Sequence, residues 1–220
     1  EFEKVKANKK KLLEFHIKLR SLTFFDPACG CGNFLVIAYR EMRLLELDVI
    51  RTLNKGKGGQ LSFDVHSMVK LDVDQFYGIE IEEFSAQIAQ VALWLVDHQM
   101  NLLVSQEFGE YFTRIPLKSG AQIIQGNALR IDWEKLIDPE KLSFIIGNPP
   151  FKGKQEMDDS DKNDLLSLLT ATKVRQLDYV CGWYIKAAKI MAKQPKIMAA
   201  FVSTNSITQG EQPAILWGLL

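Results

Sequence analysis

In LTFFDPACGCGNF (residues 22–34) a short apolar run, LTFF (22–25), gives way to an acid, a proline and two alternating glycines. A helical pattern then opens at Asn33, with Leu35, Ala38, Met42, Leu45 and Val49 on one stripe. Strand, glycine loop, helix is the first unit of an open parallel sheet, and the glycines have a physical purpose there. Without a Cβ, Gly30 and Gly32 let the chain turn sharply and let a ligand approach the main chain. The helix that follows presents unpaired N–H groups at its start. A dinucleotide fingerprint, G-x-G-x-x-G, would place a third glycine where Leu35 stands, so a nicotinamide-type dehydrogenase fits poorly. Asp26 would also repel a pyrophosphate; it suits a ligand carrying an ammonium or hydroxyl groups.

The same pattern recurs along the chain. FYGIEI (76–81), AQIIQG (121–126), SFIIG (143–147) and IMAAFVST (197–204) read as further short strands. Helical stretches separate them. One is expected to bury a stripe of Phe84, Ile88, Val91, Leu95 and Leu102, with Trp94 and His98 packing on its flank; another runs through 179–193 and ends at Pro195. Residues 152–164 read as a polar loop, and NKGKGGQ (54–60) as a break after the first helix. QLSFDV (60–65) alternates like a strand but reads equally as an insertion. The expected class is α/β, a mainly parallel twisted sheet with helices on both faces.

Composition narrows the function. The 220 residues carry 27 Lys plus Arg and 27 Asp plus Glu, so this piece offers no overall basic field for gripping a phosphate backbone. The exception is the first twenty residues, a helical segment holding Lys4, Lys6, Lys9, Lys10, Lys11, Lys18 and Arg20, whose simplest reading is a solvated helix face. No apolar run reaches the roughly 18 residues of a membrane span. Three cysteines and three scattered histidines make neither a disulfide framework nor a zinc-ligand spacing, so no metal is expected and an intracellular setting is. The chain does not begin with Met and ends on the apolar AILWGLL (214–220), as a piece of a longer protein would.

Ligands of parallel sheets sit at the carboxyl ends of the strands. Four such ends stand out together: DPACGCGN (26–33), EIEEF (80–84), GNALR (126–130) and NPPF (148–151). Glu80 is either a surface acid beside Glu82 and Glu83 or a carboxylate that accepts from both hydroxyls of a ribose; its place directly after an apolar run favours the ribose. In NPPF, the Asn148 side-chain carbonyl and a Pro149 carbonyl stiffened by Pro150 would hold a planar NH₂ group, and Phe151 offers a face on which a flat base can stack.

As a set, DPACGCGNF, GIEIEEF, GNALR and NPPF resemble the class I AdoMet-dependent DNA methyltransferases of adenine N6, in their gamma-like order with the cofactor motif first. YGIEIEEFSAQIAQVALWLVDHQMN (77–101) and AFVSTNSITQGEQ (200–212) look most like the methylase domain of large single-chain restriction-modification proteins of the type IIG/IIL kind. The resemblance covers nearly all of residues 22–215. It implies a Rossmann-like AdoMet methyltransferase domain over 21–220, preceded by a helical segment over 1–20 leading to a missing upstream domain. It also implies a prokaryotic cytoplasmic enzyme. By this resemblance Asp26, Ala28, Gly30, Gly32 and Asn33 surround the methionine part of S-adenosyl-L-methionine, Glu80 takes the ribose and Ile81 packs on the adenine. Asn127, where relatives often have Asp, and Ala128 read the adenine edge. Asn148, Pro149, Pro150 and Phe151 form the catalytic motif. The partner implied is double-stranded DNA, held mainly by a recognition domain beyond residue 220, with a linked nuclease elsewhere in the full-length chain. N-P-P-[YF] also occurs in methyltransferases of protein glutamine amides and of guanine N2 in ribosomal RNA, but those lack the P-A-C of residues 27–29. A catalytically inactive scaffold is the remaining alternative, opposed by the intact NPPF and Glu80.

Overall fold

A computed structural model of the chain describes residues 1–55, 68–109, 120–168, 176–210 and 212–218. The QLSFDV stretch and most of NKGKGGQ lie outside the described residues. Among the described residues five strands form one parallel sheet: β1 (Phe24–Asp26), β2 (Phe76–Glu80), β3 (Gln122–Gln125), β4 (Phe144–Gly147) and β5 (Met198–Phe201). Their order is β3-β2-β1-β4-β5. The chain builds outward from β1 to β3, then crosses back to lay β4 on the other side of β1. The order therefore reverses between β1 and β4, where neighbouring loops must part and open a crevice.

Side chains alternate across the sheet as the strand period requires. Phe24 stacks between Phe76 and Phe144 at 4.9 and 5.1 Å on one face. Phe25, fully buried, meets the Trp133 edge on the other. The first face is covered by α3 (Asn33–Asn54) and α4 (Glu83–Phe108), which follow α1 (Phe2–Val5) and α2 (Lys9–Ser21). The second is covered by α5 (Trp133–Leu136) and α7 (Cys181–Lys193), with α6 (Asp159–Leu168) between them in sequence and α8 (Gln212–Leu216) at the end. Helices thus flank both faces, as the alternating sequence pattern implies. Among the described residues no helix is long and apolar enough to cross a membrane.

Two helices depart from the sequence expectation. In α4, Phe84, Val91, Leu95 and Leu102 are exposed, and Phe84 is 74% accessible. The inward stripe is Ala86, Ala89, Leu93, Val96, Asp97, Met100, Asn101 and Val104. Its polar members are satisfied from α3: buried Arg43 donates to Asp97 at 2.8 Å and to Asn101 at 2.9 Å, and Tyr39 donates to Asp97. Trp94 is 44% exposed and stacks on His98 on the outer side. The second departure is α6, which occupies much of the expected polar loop. Asp158 caps it by accepting from the Asp161 N–H at 2.8 Å, and Asp161 returns a contact from the Asp158 N–H at 3.3 Å.

Small residues on α4 serve the glycine loop. Gly32 has φ +87°, and a Cβ there would come within 3.0 Å of the Ala89 Cβ. Gly30 has φ +54° and open space around it. Gly32→Ala combines backbone strain with overpacking and is expected to cost about 2–4 kcal/mol. Gly30→Ala meets strain alone and is expected to cost about 1 kcal/mol. Urea midpoints of the two variants check the ranking; equal losses would contradict the close packing on Ala89.

Candidate cofactor and substrate site

The crevice at the β1/β4 reversal is a cavity of about 830 Å³, a size that takes a nucleoside-bearing ligand. Its wall is drawn from four strand ends: Pro27, Ala28 and Gly30 after β1, Glu80 and Ile81 after β2, Gln125 to Ala128 and Arg130 after β3, and Asn148 and Pro150 after β4. Glu80 and Asn148, far apart in sequence, face one space.

Main-chain hydrogen bonds stitch these loops together. The Cys29 N–H donates to the Ile79 carbonyl at 3.0 Å, and the Gly126 N–H to the Glu80 carbonyl at 2.8 Å. The Glu80 carboxylate accepts from the Gly30 N–H at 2.8 Å through Oε2 and from the Glu82 N–H at 3.0 Å through Oε1. Ionised, it still has acceptor capacity on both oxygens. Beneath the wall, the Trp183 indole donates to the Pro27 carbonyl at 2.9 Å. The Trp133 indole and the Lys186 ammonium both donate to the Ala128 carbonyl at 2.8 Å. Burial pulls Lys186 down to about 8.

Of the residues singled out in the sequence, Ala28, Gly30, Glu80, Ile81, Asn127, Ala128, Asn148 and Pro150 line the cavity. Asp26, Gly32, Asn33, Pro149 and Phe151 lie outside its wall. Gly32 packs on α4, Asn33 starts α3 and is exposed, and Pro149 is buried. Phe151 is 42% exposed. The Asn148 side chain is exposed and makes no hydrogen bond with another described residue. The sequence reading missed the second wall, made of Lys152 and of Asp158, Ser160, Asp161 and Asp164 of the α6 segment, with Tyr179 and Trp183. Lys152 bridges Asp161 at 2.9 Å and Arg130 bridges Asp164 at 2.7 Å, so this wall is tied to the strand ends by ion pairs.

Asp26 is fully buried, immediately before the Pro27–Ala28 wall. Its Oδ1 accepts from the Ala28 N–H at 2.9 Å, while Oδ2 is without a hydrogen bond. Gly147 lies so close that a Cβ there would come within 2.6 Å of Asp26 Oδ1, so the acid also spaces the start of the NPPF loop. Burial, reinforced by the Glu80 charge and partly offset by the Ala28 N–H, pushes its carboxyl up to about 7. Between pH 4 and 7 the folded chain therefore holds a proton that the unfolded chain has released. Stability falls as pH rises through that window. Asp26→Asn should be closest to the native protein in stability near pH 4 and gain on it by about 4 kcal/mol by pH 8. Denaturant unfolding across pH checks this; a gap constant with pH would refute it.

A cationic cofactor with a ribose fits these acceptors. The wall carries Glu80, Asp158, Asp161 and Asp164 against Arg130 and Lys152, and an orphaned carboxylate oxygen lies just behind it. Among the described residues no group of His, Cys, Asp and Glu could hold a metal ion.

Comparison with known proteins agrees with the geometry. The chain is 59% identical to the solved type IIL restriction-modification enzyme MmeI, determined in complex with DNA, with a TM-score of 0.94 over 99% of this chain and 29% of that one. It is 37% identical to DNA methyltransferase A of Bacillus subtilis (strain 168), over 96% of this chain and 24% of that protein. A more distant relative is the adenine-specific methyltransferase PglX of Streptomyces coelicolor, 25% identical over 59% of this chain and 12% of that protein. The chain thus spans less than a third of the length of each of the first two. Residues 2–220 match the family described as MmeI, DNA-methyltransferase domain, and the chain belongs to that family.

Proposed function

We propose that the domain transfers a methyl group from S-adenosyl-L-methionine to N6 of an adenine flipped out of double-stranded DNA, as the methylase of a single-chain restriction-modification protein. The observation that carries this reading is the single cavity shared by Glu80 and the free amide of Asn148. Bound there, the cofactor would supply an electrophilic methyl on a sulfonium centre.

The chain's own residues do the rest by placement. Glu80 accepts from the ribose hydroxyls, Ile81 covers the adenine face, and Asn127 with Ala128 reads the adenine edge. Asp26 and the Ala28–Gly30 loop, with Gly32 and Asn33 behind it, hold the methionine end. On the target side, Asn148 and the Pro149 carbonyl accept from the N6 amine. That draws its lone pair out of conjugation with the ring and toward the donor. A base within a duplex cannot reach such a cavity. Flipping it out costs a few kcal/mol, part of which stacking on Phe151 returns. Sequence recognition and any nuclease belong to other parts of the full-length chain, so DNA affinity of this piece alone should be weak.

The DNA complex in which MmeI was solved and the adenine specificity of PglX support DNA over the glutamine-amide and ribosomal RNA acceptors. The test is transfer of labelled methyl to DNA by the full-length protein, followed by nucleoside mass spectrometry. N6-methyladenine is the expected product. A methylated cytosine, or transfer only to protein or RNA substrates, would overturn the reading.

A further inference from the structure

The outer side of α4 has the composition of an interior. Phe84, Ile88, Val91, Leu95, His98 and Leu102 follow one another at steps of 4, 3, 4, 3 and 4 residues. That is the a/d spacing of a coiled-coil seam, and it sets all six along one line of the helix. The line runs opposite the buried stripe of Ala89, Leu93, Val96 and Met100. Ile88 is half-buried and the other five are exposed, with Trp94 stacked on His98 at the flank. Charge is missing from this face. From Phe84 to Gln106 no exposed residue is Asp, Glu, Lys or Arg, in a chain where those four make up 25% of the sequence. The polar positions between the apolar ones are held by Gln87, Gln90 and Gln99. Helix α2, by contrast, exposes Lys9, Lys10, Lys11, Glu14, Lys18 and Arg20, as a solvated face does. A contiguous apolar patch with aromatic members and no charge has the make-up of the buried centre of an interface.

We propose that this face of α4 is the docking seam for a helix from the part of the full-length polypeptide that lies outside residues 1–220. Three considerations choose that occupant. Residues 1–220 match only 29% of MmeI and 24% of DNA methyltransferase A, so in such proteins most of the polypeptide is available to cover the seam. The seam is about 27 Å long and about 10 Å wide, one helix across, well short of the roughly 800 Å² that each partner gives to a standard interface between separate chains. Its flanks also lack the charges that choose partner and orientation when coiled-coil strands are free to exchange. A tethered helix needs neither, because the linker supplies the effective concentration. The helix that fits is amphipathic, about five turns long, with apolar residues at the same alternating spacing, and crosses α4 at about 20°.

Cysteine accessibility in the full-length protein tests this. Leu95→Cys and Leu102→Cys are reacted with N-ethylmaleimide in native buffer and in urea, and the extent at each position is read by peptide mass spectrometry. Native labelling is expected to be slower than in urea by about 100-fold or more at both positions, because it must wait for a local opening, and to stay so on dilution. If either variant fails to fold, Val91→Cys reads the same seam. With p-benzoylphenylalanine in place of Phe84, irradiation should join position 84 to a residue beyond 1–220 of the same polypeptide. Native labelling within a few-fold of the urea rate means an open face and overturns the proposal. Protection that lapses as the protein is diluted, or a cross-link between two polypeptides, assigns the seam to a second copy and overturns it as well. A cross-link that maps within residues 1–220 does the same, since the cover would then belong to the domain itself.

Discussion

Alanine at position 148 is expected to slow methyl transfer to DNA by about 10³-fold while leaving cofactor affinity within about twofold. The asymmetry follows from where the side chain stands. Asn148 begins the loop after β4 and lines the cavity, but its amide makes no hydrogen bond to any described residue. Removing it should therefore leave the cofactor half of the cavity undisturbed, since that half is stitched through Gly30, Glu80 and Gly126. On the proposed reading, what is lost is the acceptor for the amine of the target base, needed most as that nitrogen rehybridises. Single-turnover transfer and calorimetric binding of S-adenosyl-L-homocysteine, measured on the same preparation, separate the two. Should affinity fall in step with rate, Asn148 would be part of the cofactor site and the target would have to be held elsewhere. Asn148→Asp is informative beside it: it keeps an acceptor in place, so it should retain more rate than alanine.

The order of site-forming segments was legible because each strand is a short apolar run ended abruptly by a polar or glycine-bearing turn. Parallel strands buried on both faces need such runs, and the crossover rule puts all their carboxyl ends at one edge. Glu80, Asn127 and Asn148 could be grouped on that ground alone. The α4 stripe was misread for an equally physical reason. That helix is apolar on both sides, and bulk pointed outward: Phe84, Val91 and Leu95 are exposed. The inner face needs small residues where Gly32 approaches Ala89, and polar ones where Asp97 and Asn101 meet Arg43. No average of hydrophobicity reveals a buried charge whose partner lies on another helix. The α6 wall is a different case. Asp158 and Asp161 stand three residues apart in a reciprocal cap that the sequence displays openly, yet a run of acids reads as a loop unless caps are sought first. Asp164 and Tyr179 enter the site through pairing with Asn127 and Arg130, contacts that no spacing along the chain announces.

Glu80→Ala should act on the opposite half of the cavity, lowering cofactor affinity by about 10²–10³-fold with little change in the rate of cofactor-saturated transfer. Two losses combine. On the proposed reading a ribose gives up two hydrogen bonds to a carboxylate, each worth about 1.5–3 kcal/mol net of exchange with water. The Gly30 and Glu82 N–H groups also lose their acceptor at 2.8 and 3.0 Å, which frees the glycine loop. Only the first loss depends on the ribose, so analogues can apportion them. Against the native protein, S-adenosyl-L-homocysteine lacking the 2′-hydroxyl should bind tenfold or more weakly than the parent ligand, a loss of the size of one such bond. Against Glu80→Ala the two ligands should bind alike, because the acceptor that told them apart is gone. If the variant still distinguishes them by the native factor, the ribose lies elsewhere and Glu80 is only the buckle of the glycine loop. In that event Glu80→Gln would be the more damaging change, since its amide nitrogen would face the Gly30 or the Glu82 N–H with no acceptor to offer. If Glu80 does hold the ribose, glutamine keeps one acceptor oxygen and should fall between alanine and the native residue.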